Sequence, residues 1–364
     1  MRDSSPALQK LHTDKVFQMR RGHLQSPTIA FETWGKLNKA RDNAVLIFTG
    51  LSPSAHAASS EADPSSGWWE DMLGPDKPID TDRYLVICVN SLGSCFGSTG
   101  PASIDPETSR HYRLTFPVLC VEDIANTGAL VLDHLNIDCL HSVVGASMGG
   151  MTALAFALLH PQRARGLISI SSAARSLPFS IALRSLQREL IRKDPAWQQG
   201  QYDFGQGPDG GMRLARKLGM ITYRSADEWT ERFGRERATD PGVSEGPFSI
   251  DFEVESYLEA HAKRFVGTFD ANCYLYLSRA MDLFDVADHG GSVDRGLSRV
   301  SLERALVIGV ETDFLFPIEQ QEALAIGLKS HVTDVDFRRL ASLQGHDSFL
   351  VDMDRFRPAL AAFF

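Results

Sequence analysis

The fold is decided by the stretch from residue 143 to residue 154, which reads Val-Val-Gly-Ala-Ser-Met-Gly-Gly-Met-Thr-Ala-Leu. This stretch places Ser147 at the centre of a Gly-x-Ser-x-Gly pentapeptide, after a short apolar run and before apolar residues at helical spacing. The pattern is typical of a sharp strand-to-helix turn that exposes the serine hydroxyl, where small residues at Gly145 and Gly149 relieve crowding. We therefore predict that Ser147 is a nucleophile and that the N–H of Met148 faces a developing oxyanion.

On both sides of this turn, apolar runs typical of buried strands alternate with segments of helical periodicity. Such alternation predicts an α/β fold with a mostly parallel central sheet flanked by helices. From about residue 176 to residue 295, amphipathic helical stretches replace the strand runs, so we expect a helical lid at 176–295 inserted into a core formed by 1–175 and 296–364. We predict an antiparallel pair within 15–37, strands at 44–48, 84–89, 143–144, 167–170 and 305–310, helices at 121–135, 181–191, 211–223, 254–265 and 272–284, and loops at 199–211 and 238–246.

Composition limits the classes of partner. The 364 residues are 43% hydrophobic and carry a net charge of −9, which disfavours binding to nucleic acid or to an anionic membrane. No apolar stretch is long enough for a membrane span or a secretory signal, so we expect a cytoplasmic protein. The cysteines are odd in number and lack CxxC spacing, which predicts neither a disulfide framework nor a metal site; they are Cys88, Cys95, Cys120, Cys139 and Cys273.

A serine hydroxyl needs a nearby base, and the base needs a partner that fixes its tautomer. In the chain order of α/β-hydrolases, an acid follows a late strand and a histidine lies near the C-terminus. Asp313, directly after the apolar run 305–310, and His346, in Gln-Gly-His-Asp, fit these two positions. We predict a triad of Ser147, Asp313 and His346. The histidines interpreted as structural are His12, His23, His111, His134, His141, His160, His261, His289 and His331.

A second oxyanion donor is expected from the loop after an early strand, here Thr49 to His56. We predict that the N–H of Leu51 provides it. The alternative is an ordinary strand-exit turn built on Gly50 and Pro53.

Taken together, these landmarks resemble the homoserine and serine O-acyltransferases of the α/β-hydrolase superfamily, which serve methionine or cysteine biosynthesis. The resemblance covers nearly the whole chain. It implies an α/β-hydrolase fold, a homodimer formed through lid helices, and an acyl-CoA that is a substrate, with no cofactor. The landmarks are Gly67–Trp69, Leu73–Pro75, Asp80–Arg83, Gly97–Pro106, Gly145–Met151 and Gly345–Asp347.

The oxyanion loop distinguishes branches of this family. Members similar to homoserine acetyltransferases usually have Leu-Thr-Gly here, whereas this chain is similar to the branch that succinylates L-serine. Homoserine succinyltransferase members commonly carry an arginine where this chain has Leu315, so another cation must bind a succinyl carboxylate. We expect Arg184, at the lid entrance, although it could equally be a solvated helix charge. The residues expected to set specificity are Gly50, Leu51, Ser52 and Pro53.

The resemblance also implies a clamp for the amino acid. Arg216 matches the lid arginine that binds the carboxylate, and Asp347 matches the residue that receives the α-ammonium. The predicted reaction is ping-pong transfer from succinyl-CoA to L-serine, without a metal. One methylene separates serine from homoserine, a difference of about 1–3 kcal/mol in a pocket, so homoserine O-acetyltransferase or O-succinyltransferase remains an alternative. An esterase or thioesterase, and an inactive binding module, are more distant ones.

Overall fold

A computed structural model describes residues 5–239 and 246–364 of the chain. The predicted loop 238–246 therefore lies largely outside the described residues. The strands are β1 Gln9–His12, β2 Phe17–Met19, β3 Gly22–Leu24, β4 Thr28–Trp34, β5 Ala44–Phe48, β6 Leu73–Gly74, β7 Ile79–Asp80, β8 Leu85–Val89, β9 Ile104–Asp105, β10 Arg110–His111, β11 Leu140–Ala146, β12 Ala164–Ile170, β13 Arg304–Val310 and β14 Asp334–Leu340. The helices are α1 Val121–His134, α2 Met148–Leu159, α3 Pro178–Lys193, α4 Asp209–Tyr223, α5 Ala226–Phe233, α6 Glu253–Phe265, α7 Ala271–Leu283, α8 Val293–Leu297, α9 Ile318–Lys329, α10 Ser348–Val351 and α11 Met353–Ala361.

The central sheet has eight strands in the order β1-β4-β8-β5-β11-β12-β13-β14. The pairs β1–β4 and β4–β8 are antiparallel, and the remaining pairs are parallel. This arrangement confirms the predicted mostly parallel sheet, and the five predicted buried strands all belong to it. The interior strand β5 is apolar and buried at every position because both faces of the sheet are covered there, whereas the edge strand β14 carries charged residues and is not buried.

The segment 15–37 differs from its prediction as a single antiparallel pair. The strands β2 and β3 form a separate hairpin in which Phe17 faces Leu24, while β4 joins the central sheet beside β1. The difference follows from burial, because Ile29, Ala30 and Phe31 of β4 are fully buried and must therefore lie within the core.

Side chains of the central sheet alternate between two apolar clusters. In β5, Leu46 and Phe48 lie in one cluster with α1 and α2, whereas Val45 and Ile47 lie in the other with α11. This alternation is the expected consequence of the strand period of two.

The lid segment contains α3 to α8, which follow β12 and precede β13 in the chain, and no described residue between 171 and 303 belongs to a strand. All four helices predicted here are present, and α5 and the short α8 are additional. The predicted loop 199–211 is shorter than expected, because a short 3₁₀ helix ends at Gly200 and α4 begins at Asp209. Within the described residues, no helix is both long and apolar enough to cross a membrane. The domain boundaries at 175 and 295 remain a prediction.

The strands β11, β13 and β14 end shortly before Ser147, Asp313 and His346. Because parallel strands end at one edge of the sheet, the three predicted triad residues are brought to the same edge, in loops above the core.

Candidate active site

The three predicted triad side chains form one hydrogen-bonded chain. The distance between Ser147 Oγ and His346 Nε2 is 2.8 Å, and that between His346 Nδ1 and Asp313 Oδ2 is also 2.8 Å. His346 is 4% exposed and Asp313 is 2% exposed. In this arrangement Asp313 fixes the imidazole tautomer in which Nε2 accepts the proton of Ser147.

The serine is held at a strained turn. Ser147 has φ 56° and ψ −123°, a conformation that L-residues rarely adopt, at the junction of β11 and α2. A Cβ on Gly145 would lie 1.9 Å from the carbonyl oxygen of Gly149, and a Cβ on Gly149 would lie 2.2 Å from that of Phe48. The turn therefore requires glycine at both positions, as the pentapeptide predicts.

The acid is oriented by its own loop. Asp313 Oδ1 accepts a hydrogen bond from the backbone N–H of Phe316 at 2.9 Å, which leaves Oδ2 for the histidine. Gly345 N–H donates to Thr312 Oγ1 at 3.1 Å, so the loops that carry the acid and the base are joined directly. The Phe316 ring also stacks on His346, with 5.2 Å between ring centroids.

The pKa of His346 reflects opposing effects. Burial lowers it, and the charge of Arg184 acts in the same direction, but the charge and hydrogen bond of Asp313, together with the charge of Asp347, raise it above its ordinary value of 6.5. The imidazole is thereby made a stronger base, as removal of a proton from Ser147 requires.

Met148, the predicted oxyanion donor, directly follows Ser147 in the chain. It is the first residue of α2, and the N–H groups of Gly150 and Met151 donate to the carbonyl oxygen of Ser147. The N–H of Met148 precedes the helical hydrogen-bond ladder, at the positive end of the helix dipole. Its role as donor to an oxyanion stays a prediction.

The loop of Leu51 lies beside this helix terminus. The loop begins after Phe48, whose carbonyl oxygen lies close to the backbone of Gly149. Within the loop, the carbonyl oxygen of Ser54 accepts a hydrogen bond from Trp68 Nε1 at 3.0 Å. At the far end of the loop, His56 Nδ1 lies 2.9 Å from Glu32 Oε2. These contacts hold the loop in place, and the role of the Leu51 N–H as second donor stays a prediction.

A cavity of about 120 Å³ opens onto Ser147 and His346. A larger cavity of about 910 Å³ lies elsewhere, against other residues of α3 and α7, and its lining contains none of the triad. Among the residues described, no group of three or more His, Cys, Asp or Glu side chains is placed to hold a metal ion. The smaller cavity is lined by the predicted residues Gly50, Leu51, Ser52, Pro53, Arg184, Arg216 and Asp347, and by further residues that include Trp68, Gln187, Thr222, Tyr223, Tyr274, Met281, Leu315, Phe349 and Leu350.

Both predicted lid arginines line this cavity. Arg216 lies over the ring of Phe265, with its guanidinium carbon 4.6 Å from the ring centroid, and its Nε is buried without a hydrogen-bond partner in the described part of the chain. Arg184 is 4% exposed, so it is not a solvated helix charge; it is a buried residue that lines the cavity. Its Nη1 likewise has no partner among residues 5–239 and 246–364.

Asp347 lines the cavity next to His346 and has a partner that sequence reasoning missed. Its Oδ2 lies 3.3 Å from Nε of Arg224, just after the end of α4. Burial raises the pKa of Asp347, while Arg224 and His346 act to lower it. The positive charges of the protein therefore only partly compensate the burial of this carboxylate, and a ligand ammonium could complete the compensation.

Other cavity residues were not predicted. The ring of Tyr223 lies 5.9 Å from that of His346, and burial raises the pKa of its hydroxyl. Tyr223 follows Arg216 by seven residues on α4, so helical spacing from the predicted arginine could have indicated it.

Comparison with known proteins identifies the family. A family model described as the α/β-hydrolase fold matches residues 43–351. The chain belongs to this family. It is 58% identical over 349 residues to the serine O-succinyltransferase of Litchfieldella anticariensis, covering 96% of the chain and 95% of that relative. It is also 57% identical over 345 residues to the serine O-succinyltransferase of Stenotrophomonas maltophilia, covering 94% and 93% of the two chains.

Solved structures of the family agree with the fold. The homoserine O-acetyltransferase from Bacillus anthracis superposes with a TM-score of 0.89 at 27% identity, covering 98% of this chain and 96% of its own. Esterase E22 superposes with a TM-score of 0.87 at 29% identity, covering 98% and 99%. The predicted α/β-hydrolase fold and the predicted resemblance to serine and homoserine O-acyltransferases are both confirmed.

The raised pKa of His346 predicts how acylation depends on pH. Only neutral His346 can accept the Ser147 proton, so kcat/KM should fall as the pH drops through a pKa above 6.5. In Asp313→Asn, the carboxylate no longer raises the pKa of His346, so the fall of kcat/KM at acidic pH should move to lower pH. The value of kcat should fall about 10³- to 10⁴-fold.

The measurement is kcat/KM for an activated ester between pH 5 and pH 9. The assignment of His346 as the base would be contradicted if the wild-type kcat/KM fell only below pH 6.5. It would also be contradicted if Asp313→Asn did not move the pH at which kcat/KM falls.

Proposed function

We propose that this protein is a serine O-succinyltransferase, which transfers a succinyl group from succinyl-CoA to the hydroxyl of L-serine. The observation that carries this proposal is the identity of 57–58%, over nearly the whole chain, to relatives with that name. The identity to the structurally similar homoserine O-acetyltransferase is only 27%. The triad supplies the chemistry, and the charged residues of the cavity supply sites for an amino acid and for a dicarboxylic acyl group.

The first half-reaction forms an acyl-enzyme. His346 Nε2, 2.8 Å from Ser147 Oγ, takes the hydroxyl proton as the oxygen attacks the thioester carbonyl. The N–H groups of Met148 and Leu51 stabilise the oxyanion. As the carbon–sulfur bond breaks, His346 returns the proton to the leaving thiolate, and free CoA departs from a succinyl ester on Ser147.

The second half-reaction transfers the acyl group. The hydroxyl of L-serine occupies the place that water takes in a hydrolase, gives its proton to His346 and attacks the ester carbonyl. When the tetrahedral intermediate collapses, Ser147 regains the proton and O-succinyl-L-serine is released. Exclusion of water by the lid and positioning of the acceptor favour transfer over hydrolysis.

The acceptor is held by two opposite charges that line one cavity. The guanidinium of Arg216 has a buried Nε without a described partner and can bind the α-carboxylate. Asp347, whose pKa burial raises, can receive the α-ammonium beside His346. In this proposal, the zwitterion binds with its side-chain hydroxyl toward His346.

The donor is selected by a third charge. Arg184 lines the same cavity, and its buried Nη1 has no partner in the described ranges. Leu315, at the position of the arginine in homoserine succinyltransferases, also lines the cavity and offers no charge. Arg184 is therefore our choice for the distal carboxylate of a succinyl group.

The proposal is tested by a two-by-two grid of succinyl- or acetyl-CoA against L-serine or L-homoserine, with CoA release followed and product mass confirmed. We expect rapid turnover with succinyl-CoA and L-serine alone. Preference for acetyl-CoA and L-homoserine would instead assign homoserine O-acetyltransferase and show that the loop from Gly50 to Pro53 does not select the acceptor.

The amino-acid clamp predicts a separation of two activities. Arg216→Ala and Asp347→Ala should each lower kcat/KM for transfer to L-serine at least about 100-fold, because a charge-assisted contact to the acceptor is lost. Both variants should still form an acyl-enzyme with an activated ester, because neither residue belongs to the triad.

The matched control is Arg213→Ala. Arg213 lies on α4, as Arg216 does, but it pairs with Glu259 at 2.7 Å and does not line the cavity. Equal loss of transfer and ester hydrolysis, or retention of both, would refute the clamp. An esterase, the activity in the name of the similar structure E22, would hydrolyse the ester in every variant and transfer nothing.

We further propose a cytoplasmic homodimer that contacts through lid helices. Leu186 on α3, and Leu214 and Ile221 on α4, are apolar and 44–48% exposed, so these two helices offer apolar surface that a second copy could cover. Light scattering at micromolar concentration should give about twice the chain mass of 40.2 kDa. A mass of one chain would refute the dimer.

A further inference from the structure

The guanidinium of Arg184 is held by two of its three nitrogens. Its Nε donates to Asp282 Oδ1 at 2.6 Å, and its Nη2 donates to Ser176 Oγ, also at 2.6 Å. Ser176 in turn donates to the carbonyl oxygen of Met281 at 2.7 Å, which fixes the direction of its lone pairs. Because the guanidinium is planar, fixing two nitrogens also fixes the third, Nη1.

This clamp is built from distant parts of the chain. Arg184 lies on α3, Asp282 lies on α7, and Ser176 precedes α3 in the segment that leaves β12. The side chains of Arg184 and Asp282 are 5% and 3% exposed. Burial of this kind strengthens each contact and makes any unpaired nitrogen costly.

The carboxylate of Asp282 is shared between two cations. Its Oδ2 forms an ion pair with Arg188 Nη2 at 2.6 Å, and Arg188 Nη1 donates to Ser278 Oγ at 2.9 Å. One negative charge thus lies between two guanidiniums that are 5% and 12% exposed. The cluster carries one excess positive charge in a poorly solvated site, which favours an anion as the missing partner.

The free nitrogen belongs to the guanidinium that lines the catalytic cavity. Arg184 contributes to the same wall as Ser147 and His346, whereas Arg188 lines the larger cavity and is absent from this one. Of the two arginines, Arg184 is therefore the one that can offer positive charge to a ligand in the catalytic cavity.

We propose that Asp282, with Ser176, is a positioning residue for donor selectivity: it aims Nη1 of Arg184 at the cavity, where Nη1 binds the distal carboxylate of a dicarboxylic acyl group. This inference rests on the proposed function. Asp282 does not touch the acyl group. It acts by holding Arg184 in one orientation, so its removal changes the preference between donors more than the rate of acyl transfer as such.

The test is the ratio of kcat/KM for succinyl-CoA to kcat/KM for acetyl-CoA. Asp282→Asn keeps the shape of the side chain but leaves two buried guanidiniums without a counter-charge, so Arg184 should reorient. We expect the ratio to fall about tenfold, mainly through a higher KM for succinyl-CoA. Asp282→Glu, which restores the charge, should recover part of the ratio.

A second variant keeps the test informative if Asp282→Asn does not fold. Ser176→Ala removes one acceptor of Arg184 without changing any charge, and it should lower the same ratio by a smaller factor. The matched control is Asp288→Asn, the same substitution at a carboxylate 46% exposed whose Arg20 partner is 2.9 Å away, and it should leave the ratio unchanged.

The outcomes separate the two proposals. A wild-type enzyme that does not prefer succinyl-CoA refutes the proposed function, whatever the variants do. A wild-type enzyme that prefers succinyl-CoA, with equal losses for both donors in Asp282→Asn and in Ser176→Ala, refutes the positioning role and leaves the proposed function intact.

Discussion

The contact between Gly149 and the carbonyl oxygen of Phe48 constrains the rest of the active site. A Cβ at Gly149 would lie 2.2 Å from that oxygen, so the first turn of α2 packs directly on the end of β5. The two segments that supply the predicted oxyanion donors, Met148 and the loop of Leu51, therefore start from one rigid junction. Because β11 also enters this junction, the strain at Ser147 is supported by the buried centre of the sheet.

Beside this junction, the cavity is lined by charges that the protein does not fully neutralise. Arg184 and Arg216 each keep a buried nitrogen without a described partner, and the pKa of Asp347 is raised by burial. Buried charges without complete pairing reduce stability, which makes them more informative about ligands than charges at the surface. Their signs match a dicarboxylic acyl group and a zwitterionic acceptor. The cavity is thus suited to transfer between two charged substrates, whereas a plain esterase requires only the triad.

Buried strands were predicted from the sequence more reliably than short strands and short helices. The runs at 44–48 and 305–310 predicted their strands because a fully buried strand must be apolar at every position. The strands of segment 15–37 were harder to assign to a sheet. Short strands with alternating apolar and polar residues have the same sequence pattern in a separate hairpin and in the central sheet. The helices α5 and α8 were missed, since eight and five residues are too few for a clear helical period.

Within the candidate site, the residues that could be predicted were those whose positions are constrained by their neighbours in the chain or by strand order. The glycines around Ser147 are required by the close approach of the neighbouring backbone, and the positions of Asp313 and His346 follow from strand order. The local pattern was therefore enough to predict the fold and to select three side chains that the structure brings within hydrogen-bond distance. The sequence did not reveal that Arg184 is buried, that Asp282 holds it from a helix 98 residues later, or that Asp347 pairs with Arg224. The physical reason is that a strained turn is encoded by neighbouring residues, whereas the partner of a buried charge is whichever opposite charge the packing of separate helices brings within about 3 Å.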